Sequence, residues 1–223
     1  LDKAREASLP APQRLSLARA TTAEYRDPDV AASKDGQLAI TLDVNFAKNQ
    51  IGSDPVFLRN FNGQLVGPTL RLKPGDRLHL TLKNSLPGER WRPNMMNTLN
   101  DFDTLNMHFH GLHVSPNGIS DNVLIQVGPH STQEYIVDIP ANHPPGTYWY
   151  HPHRHGSTAG TVASGLSGAL IIGGGLDDIP AIKAARERVM VLNQIRISTR
   201  TPSSTPTATP YRPRKRLSTW REG

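Results

Sequence analysis

The chain has 223 residues, a formal net charge of +6 from 25 Lys+Arg against 19 Asp+Glu, nine His and no Cys. A chain of this length can bury a core without covalent staples. Lacking Cys, it has no disulfide, no thiolate nucleophile and no Cys-ligated metal. The positive charge points to nucleic acid or an anionic surface only if it belongs to the folded part.

Gly (18) and Pro (19) make up about one residue in six, which favours an all-β domain rich in turns. No apolar run reaches 18 residues, so no membrane span is predicted. Leu1 in place of an initiator Met is compatible with a removed leader, and no signal peptide is visible. Residues 1–33 read as an extended arm with a short helix near Leu15–Ala20. From Gln37 the texture changes. Leu38, Ile40, Leu42, Val44 and Phe46 alternate with polar or small residues, the period of a half-buried strand. Val56–Phe61 is a second strand, followed by a turn at Asn62-Gly63-Gln64, a kink at Gly67-Pro68-Thr69 and a turn at Pro74-Gly75-Asp76. Leu78, Leu80 and Leu82 mark a strand ending at Asn84, and residues 87–104 form a polar loop. Strands are predicted again near 105–114, 123–127, 132–139, 146–152 and 166–172. Short strands at this spacing indicate a Greek-key sandwich or barrel over 34–176. Asp178 and Pro180 open a helix over Ala181–Glu187, and Val189–Ile197 reads as one more strand, so 177–197 holds a short helix and the start of a next domain. Residues 198–223 contain ten Ser/Thr, four Pro and six Lys/Arg against one acid, a low-complexity basic tail that cannot build a core.

Six of the nine His fall in two segments, Leu105-Asn-Met-His-Phe-His-Gly-Leu-His113 and Tyr148-Trp-Tyr-His-Pro-His-Arg-His-Gly156. In a strand, residues two apart share a face. Leu105, Met107 and Phe109 then point to the core, while Asn106, His108 and His110 point away. His151 and His153 share a face in the same manner, and Pro152 puts their segment at a strand end or edge. Converging neutral imidazoles suit Cu, Zn, Ni or Fe. A zinc site or a mononuclear dioxygenase needs only three His, or His plus carboxylate. Met95 and Met96 are soft donors that also serve as loop filling, His79 alternates with leucines and reads as a surface residue, and His130 and His143 carry no signal.

The run His108-Phe-His-Gly-Leu-His-Val114 with Tyr148–Gly156 resembles the amino-terminal domain of bacterial, laccase-like multicopper oxidases. Asn62–Asp76 and Gly165–Ile172 resemble the flanking strands of that domain, and the likeness covers about 35–195. It implies a cupredoxin-like Greek-key β-sandwich. It also implies copper as cofactor, with His108 on the type 2 ion and His110, His151 and His153 on the type 3 pair. These four would be half of the ligands of a trinuclear cluster that reduces dioxygen to water. Asp121 falls where the family places an acid near the type 2 copper, a proton-relay position, and is equally readable as a turn residue. His113 and His155 fall where outer residues that orient the ligands would sit, or are ordinary solvated side chains. A periplasmic or secreted location follows from the resemblance alone.

The resemblance breaks off near Ser198. The family's carboxy-terminal His motifs and its type 1 copper Cys are absent from this sequence. The expectation is a truncated oxidase, inactive by itself, with 198–223 translated out of frame. Missing domains or a partner chain would supply the other ligands, and the uncovered His face would favour self-association. Two alternatives stay open: a non-enzymatic copper-binding or storage module, and a single-domain His-metal oxygenase. The tail carries a net +5, leaving 19 Lys/Arg and 18 Asp/Glu in residues 1–197. Nucleic acid is therefore not an expected partner.

Overall fold

The computed structural model describes residues 25–52, 54–88 and 101–195. The strands are β1 (Val30–Ala32), β2 (Gln37–Ile51), β3 (Asp54–Phe61), β4 (Thr69–Leu72), β5 (Arg77–Asn84), β6 (His108–His110), β7 (Thr132–Asp138), β8 (Gly146–His151) and β9 (Gly168–Ile172). Two short helices, α1 (Thr158–Ala163) and α2 (Pro180–Lys183), flank β9 in sequence. The strands form two sheets, in the order β1-β4-β9-β8-β6 and β3-β2-β5-β7. The class is all-β, as the alternating pattern predicts.

Alternation in each strand explains the layering. Leu38, Leu42 and Val44 of β2, Leu78, Leu80 and Leu82 of β5, and Tyr135 and Val137 of β7 are buried on one face of the four-stranded sheet. Leu70 and Leu72 of β4, Phe109 of β6, Tyr150 of β8, and Leu170 and Ile172 of β9 meet them from the other sheet. Turn chemistry sets the connections. Asn62 (φ 53°) and Gly63 (φ 78°) take the left-handed conformation that a two-residue hairpin turn requires, and Gln64 N–H donates back to the Phe61 carbonyl. Pro74 precedes Gly75 (φ 90°), and Asp76 N–H closes the turn on the Lys73 carbonyl at 3.1 Å.

Several elements differ from the sequence-based expectation. The segment near 105–114 is a strand only at β6. Around 123–127 there is no strand, only an isolated bridge from Val127 to Leu105. Asn122 holds this stretch through local turn bonds, its side-chain oxygen accepting from Leu124 N–H and its carbonyl from Ile125 N–H, which outcompete a ladder. The arm at 1–33 contributes β1, which pairs in parallel with β4. The helix expected over Ala181–Glu187 is one turn, α2, preceded by a 3₁₀ turn at Gly175–Asp178; Asp178 makes no side-chain cap, and no residue of α2 is buried. A helix this short with no buried face has nothing to extend it. Residues 189–195 form no strand. Side chains anchor the chain where this segment begins: Arg71 pairs with Glu187, Arg188 with Asp27, and Val189 N–H donates to the Asp27 carboxylate at 3.0 Å. The helix α1 lacks sequence signals because Gly160, Thr161 and Val162 are poor helix formers. Gly160 is required there, since a Cβ would collide with the Phe102 ring. The helix near Leu15–Ala20, the residues Met95 and Met96, and the tail at 198–223 lie outside the described residues.

Tyr150 is the packing element closest to the histidines. Its ring is fully buried, its hydroxyl donates to the Pro68 carbonyl at 2.7 Å, and burial raises its pKa. Space for the ring comes from Gly67 and Gly168, where a Cβ would approach it closer than 3.0 Å. Gly168→Ala is therefore expected to cost about 1–3 kcal/mol of stability by overpacking. A urea titration checks it, and an unchanged midpoint would contradict the packing account.

Candidate metal centre

The edge strand β6 and its neighbour β8 run antiparallel, with His108 opposite His151, Phe109 opposite Tyr150, and His110 opposite Trp149. Phe109 and Tyr150 point inward and are fully buried. The register therefore turns His108, His110, Trp149 and His151 together onto the outer face. Donor nitrogens of His108, His110 and His151 all lie within 4.8 Å of one another. His153 stands just beyond the end of β8. Its ring centroid is 5.1 Å from that of His108 and 5.7 Å from that of His151, as close as the three rings are to one another, but its nitrogens are not among those that lie within 4.8 Å.

Hydrogen bonds define which nitrogen each ring offers. Asp121 Oδ1 lies 2.9 Å from His108 Nδ1. A carboxylate only accepts, so Nδ1 carries the proton and Nε2 keeps its lone pair for an ion. The same oxygen accepts from Phe109 N–H at 2.9 Å, satisfying a backbone donor of the edge strand. His151 Nδ1 donates to the Pro152 carbonyl at 2.9 Å, which likewise frees its Nε2. That Nε2 lies 3.4 Å from His110 Nδ1. Two nitrogens bound to one tetrahedral ion at ordinary imidazole distances stand about 3.3 Å apart. The pair is spaced as ligands of a common ion would be.

Electrostatics favour the ligating form. His151 is buried, and burial, followed by the neighbouring imidazoles, pushes its pKa down from 6.5 to about 4 despite the Pro152 bond. It is neutral across the physiological range, as metal binding requires. Trp149 stacks on His151 with centroids 4.0 Å apart and lies 4.8 Å from the His110 ring. The indole therefore limits the orientations open to both imidazoles.

The remaining sequence-predicted residues separate. His113 and His155 are exposed. The backbone N–H of His113 donates to His143 Nε2 at 3.0 Å, and His143 Nδ1 donates to the Pro144 carbonyl at 2.9 Å. With both nitrogens used and 3 % exposure, His143 is a buried brace between two loops. Nothing in its Pro-rich context signalled that. Asn106 also escaped the sequence reading as a functional residue, although its place on the histidine face was the available signal. It is fully buried, and its side chain bonds His153 N–H and the Val123 carbonyl.

A family model described as "Multicopper oxidase" matches residues 49–175, more than half of the chain. The chain belongs to the multicopper oxidase family. It is 35% identical over 157 residues to a multicopper oxidase of Staphylococcus haemolyticus, covering 65% of this chain and 29% of the relative. It is 32% identical over 146 residues to copper resistance protein A of Escherichia coli, covering 64% and 20%. The multicopper oxidase structure from Campylobacter jejuni, described as a metallo-oxidase, superposes with a TM-score of 0.53 at 23% identity, covering 67% of this chain and 29% of that one. One from Pediococcus acidilactici gives 0.53 at 23%, covering 70% and 31%. The fold is the cupredoxin-like sandwich of these enzymes. The chain spans under a third of the length of the curated relatives it matches. Among the described residues no helix is long and apolar enough to cross a membrane.

The depressed His151 pKa carries a sign. An unfolded chain takes up this proton near 6.5 and the folded chain near 4. Between those values the unfolded state binds more protons, so the associated stability, complete above about 6.5, is lost as the pH falls towards 4. The urea midpoint of the chelator-treated chain is expected to fall over that window, and the fall to be shallower in His151→Gln. Equal slopes in the two proteins would contradict a neutral, buried His151.

Proposed function

We propose that this chain is the copper-binding amino-terminal part of a multicopper oxidase and supplies half of the histidines of a trinuclear cluster that reduces dioxygen to water. The observation that carries the reading is the 3.4 Å approach of His110 Nδ1 to His151 Nε2 within a three-imidazole group. Imidazole donors suit copper in both oxidation states, and copper when bound supplies one-electron redox chemistry. In this reading His108 serves the type 2 position, and His110, His151 and His153 the type 3 pair. Asp121 holds the His108 tautomer and relays protons towards the cluster in this reading. His113 and His155 lie outside the ligand set, as outer residues.

The other half of the ligands, and the Cys-based type 1 site where a reducing substrate delivers electrons, belong to carboxy-terminal cupredoxin domains or to a partner chain. The 223 residues alone, which contain no Cys, are inactive as an oxidase in this reading. The uncovered histidine face promotes self-association, and the location is periplasmic or secreted, as for the family. The three-donor group by itself also matches the ligand count of a storage or carrier site holding a single copper, so stoichiometry separates the two readings.

Metal analysis of the purified chain after copper loading and dialysis is expected to show bound copper. His110→Ala and His151→Ala are each expected to reduce it at least about tenfold, since removing groups that only support ligands already costs that much. Retention of full occupancy in both variants would overturn the reading. Phenol oxidation is expected to be absent for the chain alone, and turnover by it would contradict the predicted division of the enzyme.

A further inference from the structure

We infer that Asn106 is the positioning residue that brings His153 into the ligand set. The need for one is geometric. His108, His110 and His151 are placed by strand pairing, but His153 follows Pro152 beyond the end of β8, where no ladder holds the backbone. Pro152 has no N–H to contribute. The backbone N–H of His153 donates instead to Asn106 Oδ1, at 2.6 Å. Asn106 Nδ2 donates to the Val123 carbonyl at 2.7 Å. The carboxamide thus joins the segment carrying His153 to the loop carrying Asp121, which itself orients His108.

The side chain is suited to this task in three ways. Its side chain is fully buried, although both partners, His153 and Val123, reach solvent. Both ends of its amide are used, one as acceptor and one as donor, which fixes the plane of the group. It lies two residues before His108, in the segment that leads into β6, so the same stretch of chain delivers His108 and the brace. Removing one partner of a buried bond leaves the other without its match. Here those partners are the His153 N–H and the Val123 carbonyl, at the two places that set the fourth imidazole and the His108 carboxylate.

The inference rests on the copper reading above, and its test separates the two. Cu(II) is titrated into the chain and into Asn106→Leu, with nitrogen couplings in the electron paramagnetic resonance spectrum counted for each. Asn106→Leu is expected to weaken Cu(II) binding about 10–100-fold, the usual effect of losing an outer partner of a ligand, and to lose the coupling of one nitrogen. In a His153→Ala background the same substitution is expected to cost at most about threefold, the part transmitted through the Val123 carbonyl to the Asp121 loop, because the His153 route is then already lost. In the metal-free chain, hydrogen exchange at the His153 amide is expected to be slow and to accelerate in Asn106→Leu. Asn106→Ser, too short to reach His153, gives the same comparison if the leucine variant does not fold. An equal loss of affinity with and without His153, or an unchanged His153 exchange rate, would overturn the inference. Failure of the parent chain to bind Cu(II) through nitrogen would overturn the copper reading instead, while the exchange measurement still decides the role of Asn106.

Discussion

The arrangement depends on the register of one short antiparallel pair. With β6 three residues long and His108 opposite His151, a slip of one residue would exchange the two faces. Phe109 would then meet solvent, and the imidazoles would enter the core as costly polar groups. Burial of Phe109 against Tyr135, and of Tyr150 between Gly67 and Gly168, resists that slip. The packed inner face thus specifies the polar outer one. Core packing and donor placement are two sides of the same strands.

An edge strand normally leaves backbone groups open to any other strand. Here Asp121 occupies one of them by accepting the Phe109 N–H, and with the same oxygen it sets the proton on His108. The Pro152 carbonyl does the corresponding work for His151. Acceptor-only partners on the outer nitrogens leave lone pairs facing inward, and burial keeps His151 uncharged. In water the ring of His151 would differ in both respects: it would rotate freely and would take up a proton near pH 6.5.

Much of this was legible in the one-dimensional pattern. Leu38 to Phe46 and Leu78 to Leu82 show period-two alternation and are strands; Asn62-Gly63 and Pro74-Gly75 are turns for the reasons their dihedral preferences imply. The His-x-His spacing showed which rings share a face. What misled were segments whose state is decided by distant partners. Val189–Ile195 has the composition of a strand but is irregular chain, anchored at its start by the bond of Val189 N–H to Asp27. Val30–Ala32 has no pattern of its own and becomes a strand because β4 offers an edge. The turn of α1 exists because Gly160 can rest on Phe102.

The sequence by itself determined the class, the inward and outward faces of the alternating strands, and the identity of the histidines able to meet, because these follow from side-chain chemistry and a two-residue period. It also determined that these 223 residues contribute no thiolate, since they contain no Cys. Only the tertiary structure decided which rings do meet, which nitrogen each presents, and that His143 is a brace while Asn106 holds His153. Those outcomes depend on the pairing of β6 with β8, 41 residues apart between His110 and His151, and on loops packed from elsewhere in the chain. Local spacing carries no information about contacts at that separation, because the free energy that selects them comes from burial and hydrogen bonding across the assembled sandwich.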